Sequence, residues 1–131
     1  MTRLVCGILA LFLLASPSAG QGLTEGSLWK NQNNSLLFIT KVDTAKNIFG
    51  GTFVNYHPNF PQCQGIGVPV SGEISGNNVK FVANFAPCSK TITVWKGSMS
   101  NSIINTTWDL RYVDTNYDIQ PASGSDDFTK Q

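Results

Sequence analysis

Histidine, cysteine and net charge are all scarce in this sequence, and each scarcity removes a class of function. There is one histidine, His57, among 131 residues, and there are three cysteines. A zinc site wants four Cys or His ligands in paired spacings, and no such spacing occurs. His57 stands beside Pro58 in a loop-like stretch with no nucleophile-elbow pattern. Ser and Asp occur, but at no recognisable triad spacing, so nothing points to an enzyme. Nine Lys plus Arg face eight Asp plus Glu. Partners such as nucleic acid or an anionic membrane require a basic face, which this balance does not supply. No apolar run is long enough to span a bilayer.

The longest apolar run, Leu4 to Ala15, follows Arg3 and precedes the small residues Ser16 to Gly20. That order is the layout of a secretory signal peptide, so residues 1–20 read as a leader and residues 21–131 as one domain. Cleavage after Gly20 would leave Ser18 and Gly20 at the small-residue positions. Cys6 lies ahead of most of the run, where a lipoprotein cysteine would not stand. Losing Arg3 brings the basic and acidic residues to eight each. Losing Cys6 leaves Cys63 and Cys88, which in an oxidising compartment most simply form one disulfide. The expected destination is outside the cell or the periplasm.

What remains reads as short strands separated by turn residues, without a convincing helix. The expected strands are Leu28 to Asn31, Ser35 to Val42, Ile48 to Tyr56, Val68 to Ile74, Val79 to Asn84, Thr91 to Ser100, Ile103 to Val113 and Asp126 to Thr129. Ser75-Gly76-Asn77-Asn78 and Asn101-Ser102 are hairpin signals. Gly50-Gly51 interrupts the third segment, as glycines do at a strand bend or a close backbone approach. His57 to Gly67 reads as a long loop, and Asp114 to Ser125 as turn-rich and polar. Eight short, regularly spaced strands imply an all-β sandwich or an eight-stranded antiparallel up-and-down β-barrel, whose interior holds side chains or one small ligand.

Alternation assigns faces. Thr91, Thr93 and Trp95 share one face of their strand, and Thr106, Trp108 and Leu110 share one face of the next. Hydroxyls mixed with tryptophans suit a pocket for a small amphipathic ligand better than a dry core, where each hydroxyl needs a partner. Ile92 and Val94 on the opposite face point to a covered outer surface such as a subunit interface.

Five segments then carry a family resemblance. Trp29-Lys30-Asn31-Gln32-Asn33-Asn34-Ser35 resembles the W-x-N-x-x-x-S opening of avidins. Phe49-Gly50-Gly51-Thr52-Phe53-Val54-Asn55 resembles their F-x-G-x-Y strand, and Thr91-Ile92-Thr93-Val94-Trp95-Lys96-Gly97 their S-x-T-x-W/F-x-G strand. Ile104-Asn105-Thr106-Thr107-Trp108-Asp109-Leu110 and Gly124-Ser125-Asp126-Asp127-Phe128-Thr129-Lys130 are similar to the I-N-T-x-W-x-L and G-x-D-x-F-T-K segments of streptavidin. Singly, each residue has a plainer explanation: Asn31 in a turn, Trp95 and Trp108 in a core, Asp126 beside Asp127 as a solvated pair or cap. In this order, from Trp29 to Lys130, they make a specific signal.

The resemblance to the avidin/streptavidin family implies non-covalent biotin binding in the barrel mouth, with no cofactor. Asn31 and Ser35 would donate to the ureido oxygen, Asp126 would accept from a ureido N–H, and Thr93 would face the sulfur. Trp95, Trp108 and Leu110 would wall the bicyclic ring, with Asn55 and Thr91 near the carboxylate. The chain departs from the pattern at Phe53, where the family carries a Tyr donor, and at Phe85, where it carries a Trp wall. A lost hydrogen bond to a buried ligand atom costs about 1–3 kcal/mol, unless Tyr56 or water replaces it, so tight but weakened binding is expected.

Asp114 to Ser125 has no Trp of the kind that tetrameric members lend to a neighbour's pocket. Cys63 and Cys88 fall in the loops where a disulfide-bearing, dimeric branch has its cysteines, so the resemblance implies a homodimer. The same cysteines would tie the His57–Gly67 lid to the pocket rim. Asn33 and Asn105 also open N-x-S/T sequons. Two other readings fit the strands alone: a lipocalin-like carrier of another ligand, and a disulfide-stapled surface domain.

Overall fold

The computed structural model describes residues 23–131. The leader expected at residues 1–20 lies outside the described residues. The described chain holds eight strands: β1 (Leu28–Lys30), β2 (Leu36–Asp43), β3 (Ile48–Val54), β4 (Gly67–Ser75), β5 (Asn78–Asn84), β6 (Ile92–Met99), β7 (Ile103–Val113) and β8 (Ile119–Lys130). Each pairs antiparallel with its neighbours in chain order, and β1 pairs with β8 to close an up-and-down barrel.

The local reasons follow from the sequence. Ser75 pairs with Asn78 across Gly76-Asn77, with Gly76 at φ 60°. Two-residue hairpins of this kind need positive φ, which glycine supplies without steric cost. Along β7 the alternation is complete: Ile104, Thr106, Trp108 and Leu110 face inward and are buried, while the residues between them face out. The packed core of the barrel is apolar and includes Leu37, Ile39, Phe49, Val70, Phe81, Ile104 and Phe128. Phe81 stacks on Trp95 with ring centroids 4.9 Å apart and 15° between planes.

Gly51 explains the interruption of β3. A Cβ there would lie 1.9 Å from the Phe38 carbonyl oxygen, at the place where the β2–β3 register shifts between Ile39 and Lys41. The bend lets the sheet curl on itself.

Two expected boundaries are corrected. The third strand ends at Val54 rather than Tyr56, because Asn55 turns into the lid loop, where it forms an isolated bridge with Gln64. The larger correction is β8. Most of the segment read as turn-rich, from Asp114 to Ser125, is strand: β8 starts at Ile119 and pairs with β7 from Val113↔Ile119 to Ile103↔Thr129. The true turn is Asp114 to Asp118, held by the Asp114 carboxylate, which accepts from the Asn116 and Asp118 N–H groups and from Gln120 Nε2. Pro121 is tolerated because β8 pairs with β1 only at Lys130 and Thr129. Among the described residues its other side has no strand partner at Pro121, where a missing N–H leaves no ladder bond unmade.

Candidate functional site

The open end of the barrel contains a cavity of about 460 Å³, within the range of small-molecule sites. The structure brings Asn31, Ser35, Phe53, Asn55, Phe85, Thr91, Thr93, Trp95, Trp108, Leu110 and Asp126 to its wall.

Its floor is polar and fixed. The Asn31 side-chain oxygen accepts the N–H groups of Asn33 and Ser35, both at 3.0 Å. That turn also places Asn34 at φ 63°. With its oxygen occupied, the Asn31 carboxamide has only its nitrogen to offer. Ser35 Oγ accepts the Tyr56 N–H at 2.8 Å, which leaves the hydroxyl proton to be donated. Among the described residues, no fully buried side-chain nitrogen or oxygen lacks a partner. Both residues line the cavity, so the Asn31 nitrogen and the Ser35 hydroxyl proton are the donors they can offer to a ligand there.

Asp126 supplies the opposite polarity. It is 5% exposed. Its Oδ2 accepts from Trp95 Nε1 at 2.8 Å, and its Oδ1 accepts from Gln32 Nε2 at 2.7 Å. Gln32 also donates to the Ser125 carbonyl and accepts the Asp127 N–H. It thus clamps both sides of the carboxylate's backbone. Charge-assisted bonds of this kind are the stronger class, and lone pairs remain for a further N–H. Gln32 was not legible as a site residue, because its partner lies 94 residues away.

The walls are aromatic. Phe53 packs 4.8 Å from Trp95 and edge-on to Phe85 at 6.1 Å. Trp108 lies over Gly124, its strand partner, where a Cβ would come within 2.6 Å of the indole. A side chain at Gly124 would displace the indole from this position. Trp108 also meets two lid residues that the sequence did not assign to the site, His57 at 6.1 Å and Phe60 at 5.9 Å, both edge-on.

Asn55 is part of the wall, but both ends of its carboxamide serve the lid. Its oxygen accepts the His57 N–H, and its nitrogen donates to the Phe60 carbonyl. Its direct role is to shape the loop. Tyr56 is not the substitute donor for Phe53. It is 43% exposed, its hydroxyl lies beside Gly65 of the loop, and it does not line the cavity. The lid is tied to the β5–β6 turn by a Cys63–Cys88 disulfide with a Cα–Cα distance of 5.5 Å. Among the described residues, no group of three or more His, Cys, Asp or Glu is placed to hold a metal ion.

A family model described as "Avidin family" matches residues 20–131. Among solved structures, the bradavidin2–biotin complex is 34% identical and superposes with a TM-score of 0.76, covering 82% of this chain and 98% of that one. Apo shwanavidin is 28% identical, with a TM-score of 0.70 and 83% and 97% of the two chains covered. The rhizavidin–biotin complex is 27% identical, with a TM-score of 0.69 and coverages of 80% and 91%. No curated protein matches the chain at a significant level. With its closed eight-stranded barrel and a family match over all of the described residues, the chain belongs to the avidin family.

Proposed function

We propose that this chain binds biotin non-covalently in the barrel mouth and sequesters or scavenges it. The observation that carries the proposal is the polar floor. Two spare donors, on Asn31 and Ser35, share one cavity with the Asp126 acceptor, under Trp95 and Trp108. That pattern complements a ureido group, whose oxygen needs donors and whose N–H needs an acceptor, joined to an apolar ring that needs aromatic walls. Bradavidin2 and rhizavidin, both similar to this chain, were solved as complexes with biotin. Thr93 faces the thioether in this reading, Leu110 and Phe85 flank the ring and chain, and Thr91 meets the tail. Phe53 contributes packing but no hydrogen bond, so we place the affinity below that of members with Tyr there.

Three further parts belong to the proposal. The protein acts as a binder and not as a catalyst: Asp126 is engaged by Trp95 and Gln32, and the sole histidine packs in the lid. It is exported after removal of a leader, a reading supported by a family match that begins at residue 20. It forms a homodimer.

Titration calorimetry of the oxidised protein with biotin tests the central claim. One biotin per chain with measurable heat, and a raised melting temperature from mass action, is the expected result. Absence of both at millimolar biotin would overturn it. A response to other small amphipathic ligands alone would point to a different carrier.

A further inference from the structure

We infer that Lys90 makes the cavity mouth selective for ligands that end in a free carboxylate over the same ligands capped as neutral amides. The inference rests on the biotin reading above and assigns its tail a recognition element.

The two ends of the cavity differ in charge. At the deep end sits Asp126, on the level of its strand partner Thr106. At the mouth, Lys90 is the only lysine or arginine among the described residues that line the cavity. The strand register sets their separation. Lys90 stands two residues before Ile92, and Ile92 pairs with Arg111, further along β7 toward the mouth than Trp108 and Leu110. A ligand whose neutral head pairs with Asn31, Ser35 and Asp126 must therefore run its tail past Trp108 toward the Lys90 rim.

Lys90 is exposed, but the turn that carries it is well fixed. The Phe85 N–H donates to the Thr91 carbonyl, and the Phe85 carbonyl accepts from the N–H groups of Cys88 and Ser89. Cys88 is bonded to the lid through Cys63. Ser89 and Thr91 line the cavity on either side of Lys90, so the rim segment within reach of a carboxylate carries two hydroxyl residues and one cationic one. A neutral amide in the same place keeps the hydroxyl contacts and loses the charge attraction. Opposite charges at a partly exposed site are worth a modest, salt-sensitive amount, on the order of a 2- to 5-fold change in affinity.

The test compares biotin with its uncharged N-methyl amide on the oxidised wild type, Lys90→Gln and Lys90→Glu, by competition at low and high salt. The wild type is expected to prefer the acid, with a preference that shrinks as salt rises. Lys90→Gln should reduce the acid-to-amide ratio roughly 2- to 5-fold, and Lys90→Glu further. Thermal melts that match the wild type would exclude misfolding as the cause. An unchanged ratio in both variants, or an equal loss for both ligands, would overturn the inference while leaving biotin binding intact. A wild type that binds neither ligand would overturn the underlying reading, and this inference with it.

Discussion

Asn31, Ser35 and Asp126 owe their usefulness to bonds they make within the protein. Each has the lone pairs or hydrogens it does not need for a ligand taken up by a neighbour: the Asn31 oxygen by two backbone N–H groups, Ser35 Oγ by Tyr56, and Asp126 by Trp95 and Gln32. Preorganisation of this sort spares the ligand the cost of orienting them. Phe53 is the exception, a buried ring beside the spare donors with nothing to donate. Phe53→Tyr places a hydroxyl in their company. A net hydrogen bond is worth about 0.5–1.5 kcal/mol, so the variant should release biotin roughly 3- to 10-fold more slowly in a displacement assay. An unchanged or faster rate would show that the missing donor is not what limits affinity.

Among the larger elements, the lid from His57 to Gly67 depends on two anchors, Asn55 at its root and the Cys63 disulfide near its far end. Cys63→Ser removes the second. Closing the 25-residue separation between the cysteines is worth about 3–4 kcal/mol in the chain-entropy model. Denaturant melts should therefore show a loss of that order. Biotin should also leave faster, since Phe60 and His57 would no longer be held against Trp108. Normal release from the folded variant would confine the disulfide to stability. The β7–β8 turn offers a pH test. Hydrogen bonds from Gln120 and from the backbone of Asp118 and Asn116 hold the Asp114 carboxyl below its ordinary 3.8. A lowered folded-state value stabilises above the unfolded value and is lost as pH falls through the folded one. The Asn116 and Asp118 amides should therefore lose protection against hydrogen exchange only as pH falls below 3.8, and Asp114→Asn should remove that dependence.

The same elements show what the sequence could disclose. The two hairpins and the inward faces of β6 and β7 were legible because turn chemistry and alternation are local. The first half of β8 was not, since Gln120 to Ser125 has no branched or aromatic residue to mark a strand, whereas its end, Asp126 to Thr129, was expected. That first half is held there by pairing with β7. Gln32 and Phe60 were illegible for the opposite reason: their partners, Asp126 and Trp108, are distant in sequence, and their own neighbours give no hint.

For the molecule as a whole, the proposed dimer has a natural face. Ile92, Val113 and Ile119 are 51%, 49% and 73% exposed on the outsides of three adjacent strands, and Val113 pairs directly with Ile119. A cluster of large apolar side chains on a soluble surface commonly marks an interface. Sedimentation at micromolar concentration should give a dimer for the wild type and a monomer for Ile92→Lys combined with Ile119→Lys, each still taking one biotin per chain. A monomeric wild type would refute the dimer. The barrel closes where β1 meets β8, through only two paired positions, Trp29↔Lys130 and Lys30↔Thr129. The polar floor straddles that seam, with Asn31 on one side and Asp126 on the other, and Gln32 reaching across. A ligand seated there bolts the two margins of the sheet together. Ligand bound to the closed barrel but not to an open one adds its binding energy to the closure of this short seam.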